Sequence, residues 1–345
     1  MTDSQNLFST AQALPGALAS LGSAPVIRQL RHLVDNGLAD LPAPGTGRTL
    51  ERWQALSLVA RHDLSLARLY EGHVDALAIL RELGGAQPTR GEVWAMWAAE
   101  SPGRSVTISD LRHSSVSLSG SKAWCPGALG ASHALVTAWL PGQQPQLVAV
   151  ELDHPSVTIQ TDAWHPAGMA DTGNADVMFN GTPGVLLGSP GDFLHRRGFW
   201  HSAAGISACW YGAMCALAEV LYTAVQQSSP THPSHGTRAA ALGRVDVAMA
   251  STAALLHQAA AWVDAHPHAD AAAVALRARQ GAAAGARRVL EEVGRALEAT
   301  PFSRNPSFMR MASDLPIFMR QSQGERDDAT LATSLLSQEL PAWSL

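Results

Sequence analysis

The chain has 345 residues, of which 46% are hydrophobic and 15% charged, and a formal net charge of −5. This length holds two or three domains with a full core, and the composition excludes a disordered chain. The acidic balance leaves no basic footprint for nucleic acid, which needs clustered Lys and Arg against phosphates. Cys125, Cys209 and Cys215 show neither a disulfide framework nor zinc spacing. The start, Met1 to Asn6, lacks the basic residues and apolar run of a signal peptide, and no stretch reads as about 20 uncharged apolar residues for a membrane span. The expectation is a cytoplasmic chain with reduced thiols.

Up to about residue 90 the pattern is helical. Apolar residues of Ala24 to Val34 and of Thr49 to Leu83 recur at helical spacing on either side of a Pro/Gly break at Leu41 to Gly47. Thr49 is the predicted N-cap of the second run, and Gly84-Gly85 ends it. From Val106 to Gly188 the period changes to two, in runs separated by Gly, Pro, Asp and Asn: Val106 to Ile108, Val116 to Cys125, Ala134 to Leu140, Gln146 to Leu152, Val157 to Ile159 and Asp176 to Phe179. These predict a small antiparallel β domain, with Val116 to Ala138 as a β-hairpin whose turn carries Trp124. Lys122, beside that turn, is the only lysine. From about residue 192 helical spacing returns, interrupted at Ser228 to Gly236 and Pro301 to Pro306. The reading is therefore a multi-domain α+β chain: an N-terminal helical domain (1–90), a central antiparallel β domain (91–188) and a C-terminal four-helix bundle (189–345).

Within these elements, four short motifs occur in order. Gly120-Ser-Lys-Ala-Trp-Cys-Pro-Gly-Ala128 resembles the "G-x-K-x-W-I-[ST]-x-[GA]" strand and turn of acyl-CoA dehydrogenases. Ala99-Glu-Ser-Pro-Gly103 is similar to that family's "T-E-P-x-x-G" loop. Gly168 to Thr172 followed by Asp176 to Phe179 resembles its "G-[MLI]-R-x-[ST]…V-x-F" exit from the β domain, and Ala203 to Gly212 is a small-residue helix where its C-terminal bundle begins. The likeness covers about residues 50 to 340.

This resemblance implies FAD held between β domain and bundle, a homodimer or homotetramer formed through the bundle, and α,β-dehydrogenation of an acyl-CoA or carrier-bound acyl thioester. Trp124 and Cys125 are the implied flavin contacts, with Ser101 and Gly103 closing the other side; read alone, Trp124 would be a core aromatic. The family has Thr or Ser beside this Trp, and a thiol at Cys125 is a weaker donor. Alignment of the last amphipathic segment sets Glu325 at the position of the catalytic base, which takes the α-proton while flavin accepts the hydride. Read alone, Glu325 with Asp327 and Asp328 is a charged helix start. A second family position for the base falls at His195, on the first long helix of the bundle, with His201 as an alternative pocket residue. The Arg that reaches the FAD pyrophosphate has no clear counterpart, leaving Arg238 or Arg244 as substitutes. A flavin-dependent monooxygenase on the same scaffold needs no carboxylate base, and a non-catalytic relative needs no flavin at all. His232, His235, His266 and His268 lack carboxylate or cysteine partners and read as solvated loops, so no metal is expected. Arg287-Arg288 with Glu291-Glu292 reads as surface charge at i, i+4 spacing.

Overall fold

The computed structural model describes residues 10–162, 164–320 and 324–336. Four helices come first: α1 (Thr10–Ser20), α2 (Val26–Asp35), α3 (Thr49–His62) and α4 (Leu64–Glu82). Seven strands follow: β1 (Trp94–Trp97), β2 (Val106–Arg112), β3 (Ser115–Cys125), β4 (His133–Ala138), β5 (Gln146–Glu151), β6 (Val157–Gln160) and β7 (Ala175–Leu187). Helices then run to the end of the described chain: α5 (Asp192–His195), α6 (Gly198–Gln227), α7 (His235–Ala265), α8 (Ala272–Leu297), α9 (Thr300–Arg304), α10 (Pro306–Met319) and α11 (Gly324–Leu336). Helices, a β domain and a helical bundle thus occur in the order the sequence predicts.

The chain divides into two compact units. Of the described residues, one holds those up to Ala43, Ser65–Pro166 and Ala170–Phe199; the other holds Pro44–Leu64, Ala167–Met169 and those from Trp200 on. Residue 90 lies inside the first unit. Helices α1, α2 and α4 go with the sheet, whereas α3 goes with the bundle, where Gly212 of α6 lies so close to Ser57 that an added Cβ would sit 2.2 Å from its carbonyl oxygen. Gly212 is thus the tight helix contact that its small-residue surroundings suggest.

In the first unit the strands run in the order β1-β4-β5-β7-β3-β2, with β6 added on β7; β1 pairs β4 in parallel and the other strand pairs are antiparallel. The sheet curls until β2 meets the residue after β4: Ile108 N–H donates to Trp139 O at 2.9 Å, and Trp139 N–H to Val106 O at 2.8 Å. Ile108, Leu118, Val136, Val148, Val177 and Phe179 fill the inside. The helix α4 covers another part of the sheet, packing Ile79 and Leu80 on Trp94, Leu135, Leu147 and Leu187. One predicted pairing is absent. β3 lies between β2 and β7 while β4 lies between β1 and β5, so Val116 to Ala138 is not a hairpin. Its connection is tied elsewhere, Gly127 N–H to Thr172 O at 2.8 Å and Ser132 N–H to Val93 O at 2.9 Å, which carries β4 away from β3.

In the second unit, α6 and α7 are each long and apolar enough to cross a membrane, against the expectation of no such stretch. α6 buries 61% of its most apolar window inside the chain and serves as a core helix, whereas α7 buries 22% of its own. Glu292 also departs from expectation. Instead of surface charge it is fully buried, with Arg244 and Arg288 at 2.8 Å and Arg295 at 3.0 Å. The hydrogen bond from Arg244, reinforced by the other two guanidiniums, holds its carboxyl at about 2 despite burial.

Thr49 opens α3 but does not cap it. The Arg48 side chain at the cap position makes no capping bond; instead, Asp264 of α7 accepts from Gly47 N–H at 3.0 Å, Thr49 N–H at 3.0 Å and Thr49 Oγ1 at 2.6 Å. A carboxylate here satisfies orphan amides and faces the positive end of the helix dipole. Asp264→Ala should lower the unfolding free energy by about 1–2 kcal/mol, read as an earlier urea midpoint with unchanged slope.

Buried His73 of α4 accepts the Trp94 N–H on Nδ1 at 3.0 Å, and burial depresses its pKa to about 4. A histidine kept neutral in the fold takes up its proton more readily once unfolded. Its contribution is complete above the ordinary value of 6.5 and is lost as pH falls from there toward 4. Urea midpoints of wild type and His73→Gln should converge across that window, and parallel curves would refute the assignment.

Candidate functional site

The first unit concentrates polar and aromatic groups where β3 ends. Lys122 is almost fully buried, and its Nζ donates to Thr137 Oγ1 at 2.6 Å and Glu100 Oε1 at 2.7 Å, with Thr137 O at 3.3 Å. Thr137 Oγ1 in turn donates to the same Glu100 oxygen at 2.8 Å. Burial lowers the ammonium pKa, while the hydrogen bond and charge of Glu100 oppose that shift.

Immediately after Lys122 the β3–β7 register slips. Lys122 faces Val177 and Cys125 faces Ala175, so three steps on β3 match two on β7. Such a bulge re-aims a side chain. Here it places Trp124 in the left-handed region, at φ +60°, with 55% of its surface exposed. The alternative reading of Trp124 taken alone, a core aromatic, does not fit this exposure. Trp164 meets its ring edge-on, centroids 5.0 Å apart and planes at 85°.

Beside the two rings lies an open depression of about 220 Å³, also lined by Ser101, Arg104, Ala123, Gln160 and Asp176. Arg104 and Asp176 are ion-paired at 2.5 Å. Ser101 and Arg104 close a tight turn, Arg104 N–H to Ser101 O at 3.0 Å, with Gly103 at φ +74°. Among the described residues the Trp164 Nε1–H is buried without a hydrogen-bond acceptor. An aromatic face and a hydroxyl around one hollow suit a planar ligand with carbonyl acceptors, and the tricyclic ring of a flavin has that character.

Of the residues singled out from the sequence, the structure gathers Ser101, Gly103 and Trp124 here. Cys125 does not line the hollow. Its thiol is fully buried in the core, donating to Lys122 O at 3.3 Å, and burial pushes its pKa far up. In the quoted motif Cys125 holds the Ile position, and the Ser/Thr position falls at Pro126, which has no donor to offer. His195 is not on the long helix: it ends the short α5, exposed, with Nδ1 2.9 Å from Gly191 O. Glu82 accepts the Gly198 N–H at 2.9 Å and pairs with Arg196 at 3.0 Å, so α6 starts only after that point. His201 is buried on α6 against Gly45, where an added Cβ would lie 2.5 Å from its Nδ1. Glu325 is exposed in the first turn of α11, a helix without buried residues, and lacks the burial expected of a base. Arg238 is half-buried in the first turn of α7, and Arg244 is committed to Glu292. The sequence reading missed Trp164, Arg104, Gln160 and Asp176 as site residues. Asp176 was visible only as a strand start, and Trp164 lies in a stretch without periodicity.

No protein-family model and no curated protein matches the chain. Solved structures do. Glutaryl-CoA dehydrogenase from Mycobacterium smegmatis superposes with a TM-score of 0.81 at 14% identity, over 98% of this chain and 95% of that one. Dibenzothiophene monooxygenase (TdsC) from Paenibacillus sp. A11-2 gives 0.71 at 19% identity, over 96% and 99%. KijD3, solved with FMN and a dTDP-linked amino sugar, gives 0.77 at 19% identity, over 97% and 94%. This chain has the acyl-CoA dehydrogenase fold, which dehydrogenases and a monooxygenase share.

The left-handed backbone at Trp124 costs about 1–2 kcal/mol for a residue with a side chain, and its ring contact with Trp164 returns about 0.5–1.5 kcal/mol. Trp124→Gly should therefore leave the unfolding free energy within about 1 kcal/mol of wild type. A loss of about 3–5 kcal/mol, the scale for a core aromatic, in thermal or urea unfolding would contradict this placement.

Proposed function

We propose that this chain is a flavin-dependent oxidoreductase that holds the isoalloxazine on the hollow beside Trp124. The observation that carries this reading is an exposed tryptophan, set in left-handed backbone by a bulge and met edge-on by Trp164 beside the hollow. A bound flavin accepts hydride and, once reduced, reacts with oxygen. Trp124 offers that ring an apolar wall, and Ser101 Oγ supplies a donor for its acceptors.

Between the two reactions, the exposure of Glu325 supports the monooxygenase. Removing an α-proton from an acyl thioester calls for a desolvated carboxylate facing that carbon. An oxygenase has no such requirement. The dehydrogenase reading, with Glu325 as base and an acyl-CoA or carrier-bound thioester as substrate, remains the second proposal and rests on the motif order. With Arg244 paired to Glu292, Arg238 is the cation left for the pyrophosphate of FAD, whereas FMN makes no such demand. Self-association would cover the apolar surface of α7 that this chain leaves exposed.

The purified chain should take up FMN or FAD, sediment as more than one copy, and consume oxygen when its flavin is reduced. No acyl-CoA in a panel should bleach the flavin anaerobically. Bleaching by one acyl-CoA that Glu325→Gln abolishes would establish the dehydrogenase instead. A chain that never takes up flavin would be the non-catalytic relative.

A further inference from the structure

Resting on the flavin reading, we infer that Lys122 is a positioning residue: through Glu100 it holds the Ser101–Arg104 turn against the sheet and so pre-forms the ligand-facing wall of the hollow. Lys122 does not itself line the hollow. It sits in β3 with 2% of its side chain exposed, bonded to Thr137 of β4, and its remaining strong partner is Glu100, immediately before Ser101. The far side of the turn is fastened as well. Ser121 N–H donates to Ser105 O at 3.1 Å, and Gly120, at φ +122°, admits that carbonyl so closely that an added Cβ would stand 2.1 Å from it.

The turn is therefore held at both ends by β3, the strand that also carries the Trp124 bulge. Both walls of the hollow follow one strand. Between the two anchors, Pro102 and Gly103 are exposed, and the only cross-turn backbone bond is Arg104 N–H to Ser101 O. Removing the ammonium–carboxylate link frees the Ser101 end of the turn, while the Arg104–Asp176 pair and the Ser105 carbonyl still hold the other end. Ligand binding must then order that turn, and affinity falls by the cost of ordering.

The test compares wild type with the paired variant Lys122→Met/Glu100→Gln, which removes both charges together and so leaves neither buried and unpaired. Thr137→Val serves as a second variant should the first fail to fold. Two readouts are taken: hydrogen exchange of the Arg104 amide in the ligand-free chain, and FMN and FAD dissociation constants by fluorescence titration. The inference expects roughly tenfold faster exchange and about tenfold weaker flavin binding. In a Ser101→Ala background the second effect should shrink, because residues acting through one contact are not additive. Unchanged flavin affinity in a paired variant whose wild type binds flavin would overturn the inference, as would full additivity with Ser101→Ala. If wild type binds no flavin, the functional reading fails, and Arg104 exchange alone decides: faster exchange supports the positioning role and equal protection refutes it.

Discussion

A buried ammonium sets terms for everything around it. Lys122 can stay inside the β domain because Glu100 and the Thr137 hydroxyl accept its hydrogen bonds, since an unpaired charge there would be costly. That requirement draws the 99–103 loop to the end of β3 and ties β3 to β4, with which it shares no ladder. The slip of register follows directly after Lys122, and with it the outward turn of Trp124. One side chain thus links the loop, the strand and the exposed aromatic.

Elsewhere the same device appears with carboxylates on backbone amides. Glu82 receives Gly198 N–H where α6 begins, Asp264 receives Gly47 N–H and Thr49 N–H at the start of α3, and Asp314 of α10 receives Met169 N–H at 2.5 Å. The last of these explains a motif. Gly168 lies on α10 so closely that a Cβ would stand 2.3 Å from Ser313 O, and Met169 follows at φ +60°. A glycine is required there by contact with a helix nearly 150 residues later in the chain.

The chemistry open to the hollow depends on what these constraints leave unfilled. Arg104 and Asp176 satisfy one another, as do Lys122 and Glu100, so formal charge around the site is largely spent on structure. What remains is an aromatic face and the Ser101 hydroxyl. Such a surface favours a flat ligand with neutral acceptors over a charged one. The buried thiol of Cys125 adds packing and no reactivity, because burial keeps it protonated.

Much of the architecture was legible in the residues alone. The change from helical to alternating period near Val106, and back near residue 192, reports local burial patterns that any packed chain of this kind must show. The Gly, Lys and Trp of the β3 motif were recognisable because a bulge and a buried cation restrict residue choice at single positions. The partners of those residues were not. Nothing in the local sequence says that β4 leaves β3 for β1 and β5, that Asp264 caps a helix 215 residues before it, or that Trp164 meets Trp124. Nor could alignment of a charged segment show that Glu325 faces solvent while Glu292 does not. Periodicity determines which face of an element is apolar; only long-range packing decides which partner covers it, and hence which polar groups are buried, paired or left open to a ligand.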